Sequence, residues 1–152
     1  MPYSAIEIAN YFLRKSFDEN IKITPMKLVK LVYFAHGWNL ALRDEPLLCE
    51  TVEAWKFGPV LPSVYHAFKQ YGSDQIVELA FPGNSNFDNI DADTKELLDQ
   101  VWNAYKNYSG WQLSAISHEL NSPWDVATKA QKTIIPDESI KAHYKALSTT
   151  EN

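Results

Sequence analysis

Thr24-Pro25-Met26-Lys27-Leu28-Val29-Lys30-Leu31-Val32-Tyr33-Phe34-Ala35-His36-Gly37-Trp38-Asn39-Leu40-Ala41-Leu42 decides the fold. Thr24 is placed to cap a helix, its hydroxyl accepting a bond from a backbone N–H that the first turn leaves unpaired. Pro25 suits the first helical position, where a missing donor costs nothing. From Met26 onward the helix is apolar on nearly every side, and only Lys27, Lys30, His36 and Asn39 interrupt it with polar groups. A helix of that character belongs in the interior of a fold, touched from several directions. It is not a membrane span: a bilayer asks for about 20 consecutive apolar residues, and here the lysines fall inside the run. Gly37 weakens a helix, so a neighbouring group is expected to use the space that its missing side chain leaves.

Around this rod the 152 residues read as one domain, 1–147, with a frayed tail at 148–152. A net charge of −5 argues against a generic binder of nucleic acid or anionic membrane, leaving only a local basic patch to consider. A single cysteine, Cys49, excludes an intrachain disulfide framework and a cysteine-based zinc site. Met1-Pro2-Tyr3-Ser4 has no basic stretch followed by an apolar one, so no signal peptide is read and a cytoplasmic location is expected.

Outward from the rod the reading is mainly α, a compact helical domain with one small β-ribbon packed on the helices. Upstream, Ser4 with Glu7 forms a capping-box pattern, and Ile6, Ala9, Leu13 and Phe17 recur at helical spacing to about Asp18. Downstream, Leu47-Leu48-Cys49 and Val52–Phe57 read as a ribbon turning at Glu50-Thr51, with Gly58-Pro59 as its stop. Pro62 opens a helix that runs to Gly72. Ile76–Leu79 is a candidate strand, and Phe81–Asn86 has loop chemistry. Asp91 or Asp93 caps a helix bearing Leu97, Leu98, Val101, Trp102, Tyr105 and Tyr108. Ser109-Gly110 breaks it, and Leu113, Ile116 and Leu120 mark the next. Ser122-Pro123 with Asp125 starts a short helix. Thr133–Pro136 is extended, and Asp137-Glu138 open a last helix with Ile140, Tyr144 and Leu147 inward.

Chemistry is sparse. The five glycines lie far apart, so no phosphate cradle exists, and no Gly-x-Ser-x-Gly elbow occurs. His118-Glu119 begins a zinc-helix pattern, but position 122 is Ser where the second histidine would stand. His36, His66, His118 and His143 sit on separate predicted helices with no ligand spacing, and core or surface histidines are the simpler reading. No catalytic, cofactor or metal set assembles from the residues, and an enzyme is not expected. Trp55-Lys56-Phe57-Gly58-Pro59-Val60-Leu61-Pro62-Ser63-Val64-Tyr65 stands apart. Proline and glycine stiffen it, so aromatics beside a positive charge are held ready for a protein partner. Trp55, Lys56, Phe57, Pro59, Pro62, Tyr65 and His66 are therefore the partner-binding candidates. Trp55 and Phe57 are not easily both exposed, and whichever faces inward seals the ribbon. Trp111 and Trp124 are read as core. Lys22, Lys27 and Lys30 form a basic stripe that is the one candidate contact with nucleic acid, although the central helix lacks the exposed polar face of a DNA reader.

Three blocks together resemble a known family. They are Lys27–Trp38, Glu53–Tyr65, and Leu113-Ser114 with His118 and then Ser122-Pro123-Trp124. The chain resembles the Panacea domain of prophage-associated GepA-type and SocA-like proteins from about Ser4 to Leu147. That resemblance implies a mostly helical antitoxin that binds and neutralises a cognate protein toxin. It implies one alternative, an adaptor that delivers its toxin to a cytosolic protease; the other alternative, a transcriptional regulator on its own operator DNA, rests on the Lys22, Lys27 and Lys30 stripe. It implies no catalytic residue, cofactor or membrane partner, and leaves the oligomeric state open.

Overall fold

The structure, a computed structural model, describes residues 2–80 and 87–150. The Phe81–Asn86 loop expectation therefore lies outside the described residues. Helix α1 (Ala5–Glu19) is capped by Ser4, whose side chain accepts from the Glu7 N–H, and ends at Asn20 in the left-handed conformation. Helix α2 (Pro25–Arg43) starts as expected, with the Thr24 side chain accepting from the Lys27 N–H. Strands β1 (Val52–Trp55) and β2 (Gly58–Val60) come next, then helix α3 (Pro62–Phe68) and a 3-10 turn, Lys69–Tyr71. Helices α4 (Ala92–Tyr105), α5 (Gly110–Ser117) and α6 (Pro123–Lys129) precede the two-residue β3 (Ile134–Ile135) and the last helix, α7 (Asp137–Thr150). The fold is mainly α with one small antiparallel sheet of order β2-β1-β3.

Helix α2 is the centre. It packs most extensively on α7 and α5, and also on α1, α4, α3 and β2. Leu28, Leu31, Val32 and Ala35 are wholly buried, while Leu42, at its end, is exposed. Burying a side chain such as leucine or phenylalanine stabilises by about 1.5–3 kcal/mol, so this helix carries much of the core. Gly37 behaves as its placement suggested. A β-carbon there would lie 2.5 Å from the Tyr144 ring of α7, which fills the gap.

The four polar interruptions of α2 are ties to its covering layers. Lys27 Nζ donates to the Lys106 carbonyl, and Lys30 Nζ to the Pro59 carbonyl at 3.0 Å. His36 Nδ1 accepts from the Leu48 N–H at 3.3 Å, and its Nε2 lies 2.9 Å from Asp137 Oδ1 at the start of α7. The first bond makes Nδ1 the acceptor, so Nε2 carries the proton toward Asp137. Asn39 donates to the Glu45 carbonyl at 2.8 Å. Buried polar groups need such partners, and each one fixes a different segment against the rod.

Five expectations are corrected. The ribbon is not 47–49 with 52–57: β1 pairs with β2 across a tight turn at Lys56-Phe57, with Trp55 opposite Gly58. Gly58 continues the ribbon because its φ of 120° suits that turn, and Pro59 is tolerated because β2 is an edge strand. Leu48 instead bridges Tyr3 in parallel. Ile76–Leu79 forms no strand, although the Ile76 N–H donates to the Ile23 carbonyl at 2.8 Å. The helix expected to reach Leu120 ends at Ser117 with His118 as its C-cap, leaving Leu120 exposed. Trp111 is 67% exposed, not core. Ser148 and Thr149, placed in the tail, continue α7, their hydroxyls donating to the Lys145 and Ala146 carbonyls, while residues 151 and 152 of that tail lie outside the described residues.

Replacing Gly37 with alanine gains up to about 1 kcal/mol of helix propensity but forces a methyl into the Tyr144 ring, an overpacking that typically costs about 1–3 kcal/mol. Gly37→Ala is expected to lower the denaturant midpoint, and Gly37→Ala with Tyr144→Leu to recover part of the loss. A midpoint unchanged by Gly37→Ala would mean that the ring does not seat there.

Candidate partner-binding surface

Three helices hold the β1–β2 hairpin from beneath by alternate carbonyls. Trp124 Nε1 of α6 donates to the Trp55 carbonyl at 2.7 Å, Ser114 Oγ of α5 to the Phe57 carbonyl at 2.8 Å, and Lys30 Nζ of α2 to the Pro59 carbonyl at 3.0 Å. At the turn, a β-carbon on Gly58 would lie 2.8 Å from Lys30 Nζ, 2.9 Å from Ser117 Oγ and 3.1 Å from His118 Nε2. Only glycine fits so close an approach at positive φ. The serines continue the network, Ser117 Oγ donating to the Ser114 carbonyl and Ser122 Oγ to the Ser117 carbonyl.

The ionisable members of this layer are shifted by burial. Lys30, 2% exposed, has its ammonium pushed down to about 7 by desolvation. His118 lies against the Trp124 ring at 4.0 Å between centroids, with its Nε2 buried beneath Gly58. Burial, and next the positive charge of Lys30, lower its pKa below the ordinary imidazole value.

The upper face is aromatic and open. Phe57, at 49% exposure in the turn, meets Trp111 edge-on at 6.0 Å. Trp55 is half-buried, its ring 5.1 Å from exposed Tyr65, which in turn lies 5.3 Å from the exposed His66 ring. Lys56 Nζ sits 5.5 Å from the Phe57 centroid. Beside the hairpin lies a groove of about 390 Å³, walled by Met26, Val29, Trp55, Phe57, Val60 and Tyr65 and bordered by Lys30 and Lys56. Of the partner-binding candidates, Lys56, Phe57, Tyr65 and His66 are exposed, Trp55 and Pro62 half-buried, and Pro59 buried. Trp111 escapes sequence reasoning because, with Trp124, it brackets the helix that bears Leu113 and so reads as core. The signal lies in the spacing: two residues before buried Leu113 on a helix, Trp111 falls on the opposite side.

The basic stripe does not form. Lys22 is exposed, but Lys27 and Lys30 are buried and spent on backbone carbonyls, so the candidate contact with nucleic acid is corrected. The histidines stay apart: His36 pairs with Asp137, His118 with Trp124, His66 with Trp55 and Tyr65, and His143 with Tyr144. Among the described residues no group of three potential ligands is placed to hold a metal ion. No described helix is long and apolar enough to cross a membrane.

The family described as "Antitoxin SocA-like, Panacea domain" matches residues 28–125. A protein named Antitoxin SocA, from Caulobacter vibrioides (strain NA1000 / CB15N), is 37% identical over 133 residues, 83% of this chain and 71% of the relative. The chain belongs to the SocA-like Panacea family. No solved structure matches it. The matched Panacea span holds all three hairpin donors, Lys30, Ser114 and Trp124, together with the hairpin itself. It reaches neither α1 nor α7, which cover the flanks of α2.

Lys30 gives this Panacea layer a pH signature. Below about pH 7 both folded and unfolded chains carry the proton, and the penalty of burying the ammonium is full. Between there and the ordinary lysine value the unfolded chain holds a proton that the folded one has released, so stability rises with pH. Denaturant unfolding from about pH 7 to about pH 9 is expected to show this rise, and Lys30→Met to flatten it. Equal slopes in both proteins would contradict the burial of that ammonium.

Proposed function

We propose that this protein is the antitoxin of a bacterial toxin–antitoxin pair, and that it works in the cytoplasm by binding its cognate protein toxin through the hairpin surface. The observation that carries the reading is the 37% identity to Antitoxin SocA across most of the chain. The location of the contact is supported by the exposure of Phe57, Tyr65 and Trp111 around a backbone fixed at three carbonyls. Rigid aromatics of this kind dominate protein interfaces, because little conformational freedom is lost when they are covered. The chemistry is that of contact: the polar layer beneath the hairpin is occupied with holding backbone, and the open layer is mainly aromatic, with Lys56 and His66 at its edge.

Co-expression with the product of the adjoining gene is expected to yield a stable complex and to restore growth that the product alone arrests. Trp111→Ala and Phe57→Ala are expected to abolish rescue while changing the unfolding midpoint little, since both side chains are largely open to solvent. Absence of both complex and rescue with wild-type protein would overturn the reading. The toxin's half-life separates the two modes of neutralisation: unchanged if the toxin is blocked by contact, shortened if it is delivered to a protease.

A further inference from the structure

We propose that the groove beside the hairpin receives a segment of the protein partner in which a large apolar side chain stands next to a carboxylate. The inference rests on the reading that this face engages a protein, and adds the chemistry of what it holds. The groove, at about 390 Å³, has the room of a small ligand pocket and takes one large side chain with its neighbour. Its walls are apolar or aromatic, which selects the anchor.

Charge selects the rest. The chain as a whole is acidic, at −5, yet the exposed charge bordering the groove is Lys56, and among the described residues no Asp or Glu lines it. Lys56 is exposed and forms no ion pair among the described residues. Lys30, which also borders the groove, is buried and held by the Pro59 carbonyl. Glu53, the acid on the hairpin itself, is held by the Trp55 indole N–H at 2.9 Å. A groove with one exposed, unpaired ammonium at its rim and no acid among its described lining residues disfavours a basic segment and is completed by an acidic one.

Panning a random dodecapeptide phage library on the wild-type protein, then titrating the selected peptide by fluorescence anisotropy, tests this. Selected sequences are expected to place Phe, Trp, Leu or Met beside Asp or Glu. Phe57→Ala and Lys56→Glu are each expected to weaken the peptide by about tenfold or more. Exchanging the peptide's acid for lysine is expected to restore binding to Lys56→Glu and not to the wild type. Circular dichroism and thermal unfolding establish that both variants fold, and Lys56→Ala provides a neutral step between. Selected sequences without an acid, no selected sequence at all, or indifference to Lys56→Glu would overturn the proposal. So would self-association in sedimentation that Phe57→Ala abolishes, since the occupant would then be a second copy. The growth assay separates the failures. If wild-type protein does not rescue, the antitoxin reading falls; if Lys56→Glu rescues as well as wild type, only the acidic segment falls.

Discussion

A helix of nineteen residues with apolar side chains on every side has no face to give to water, so the remaining elements are arranged as its covers. The four polar residues within the apolar run of α2, before its terminal Arg43, turn that burial into an address system. Each ties one cover: Lys27 the end of α4, Lys30 the hairpin, His36 both the segment after α2 and the start of α7, Asn39 the turn at Glu45. An apolar rod alone tolerates sliding and rotation of its neighbours, because the hydrophobic effect is not directional. Buried hydrogen bonds are directional, and a donor left unpaired costs about 1–3 kcal/mol, which selects one arrangement of covers.

The same division of labour produces the candidate surface. Below the hairpin, polar groups from three helices consume its carbonyls; above it, Phe57, Tyr65 and Trp111 face solvent. A two-stranded ribbon is marginal on its own in water. Here it gains a third strand through the Ala54 N–H, which donates to the Thr133 carbonyl at 2.6 Å, and three side-chain donors besides. Stiffness therefore comes from packing and bonding as well as from Gly58, Pro59 and Pro62.

Where local chemistry determines structure, the sequence is legible. The caps Ser4, Thr24, Asp91 and Ser122, and the proline starts of α2, α3 and α6, fall where their side chains and ring geometry place them. The space at Gly37 is legible too, because a glycine in an apolar helix needs a reason. Strand pairing is not, since it depends on which partner lies across the pleat. Gly58-Pro59 reads as a stop until one knows that β2 is an edge strand. Nor are the lysines legible. Two residues three apart on a helix read as a basic stripe, and only the positions of Lys106 and Pro59, far along the chain, draw them inside. Trp111 misleads in the opposite direction: it lies two residues from Leu113, and on a helix that puts it on the side away from the core.

Hydrogen exchange of the protein alone and in complex with the co-expressed toxin tests the central claim most directly. If a buried rod supports a stiff corner through which the molecule binds another protein, added protection falls on residues 55–66 and 109–113. The amides of α2 are slow in both states. Protection confined to α4 or to the outer face of α7, with the hairpin unchanged, would contradict the account.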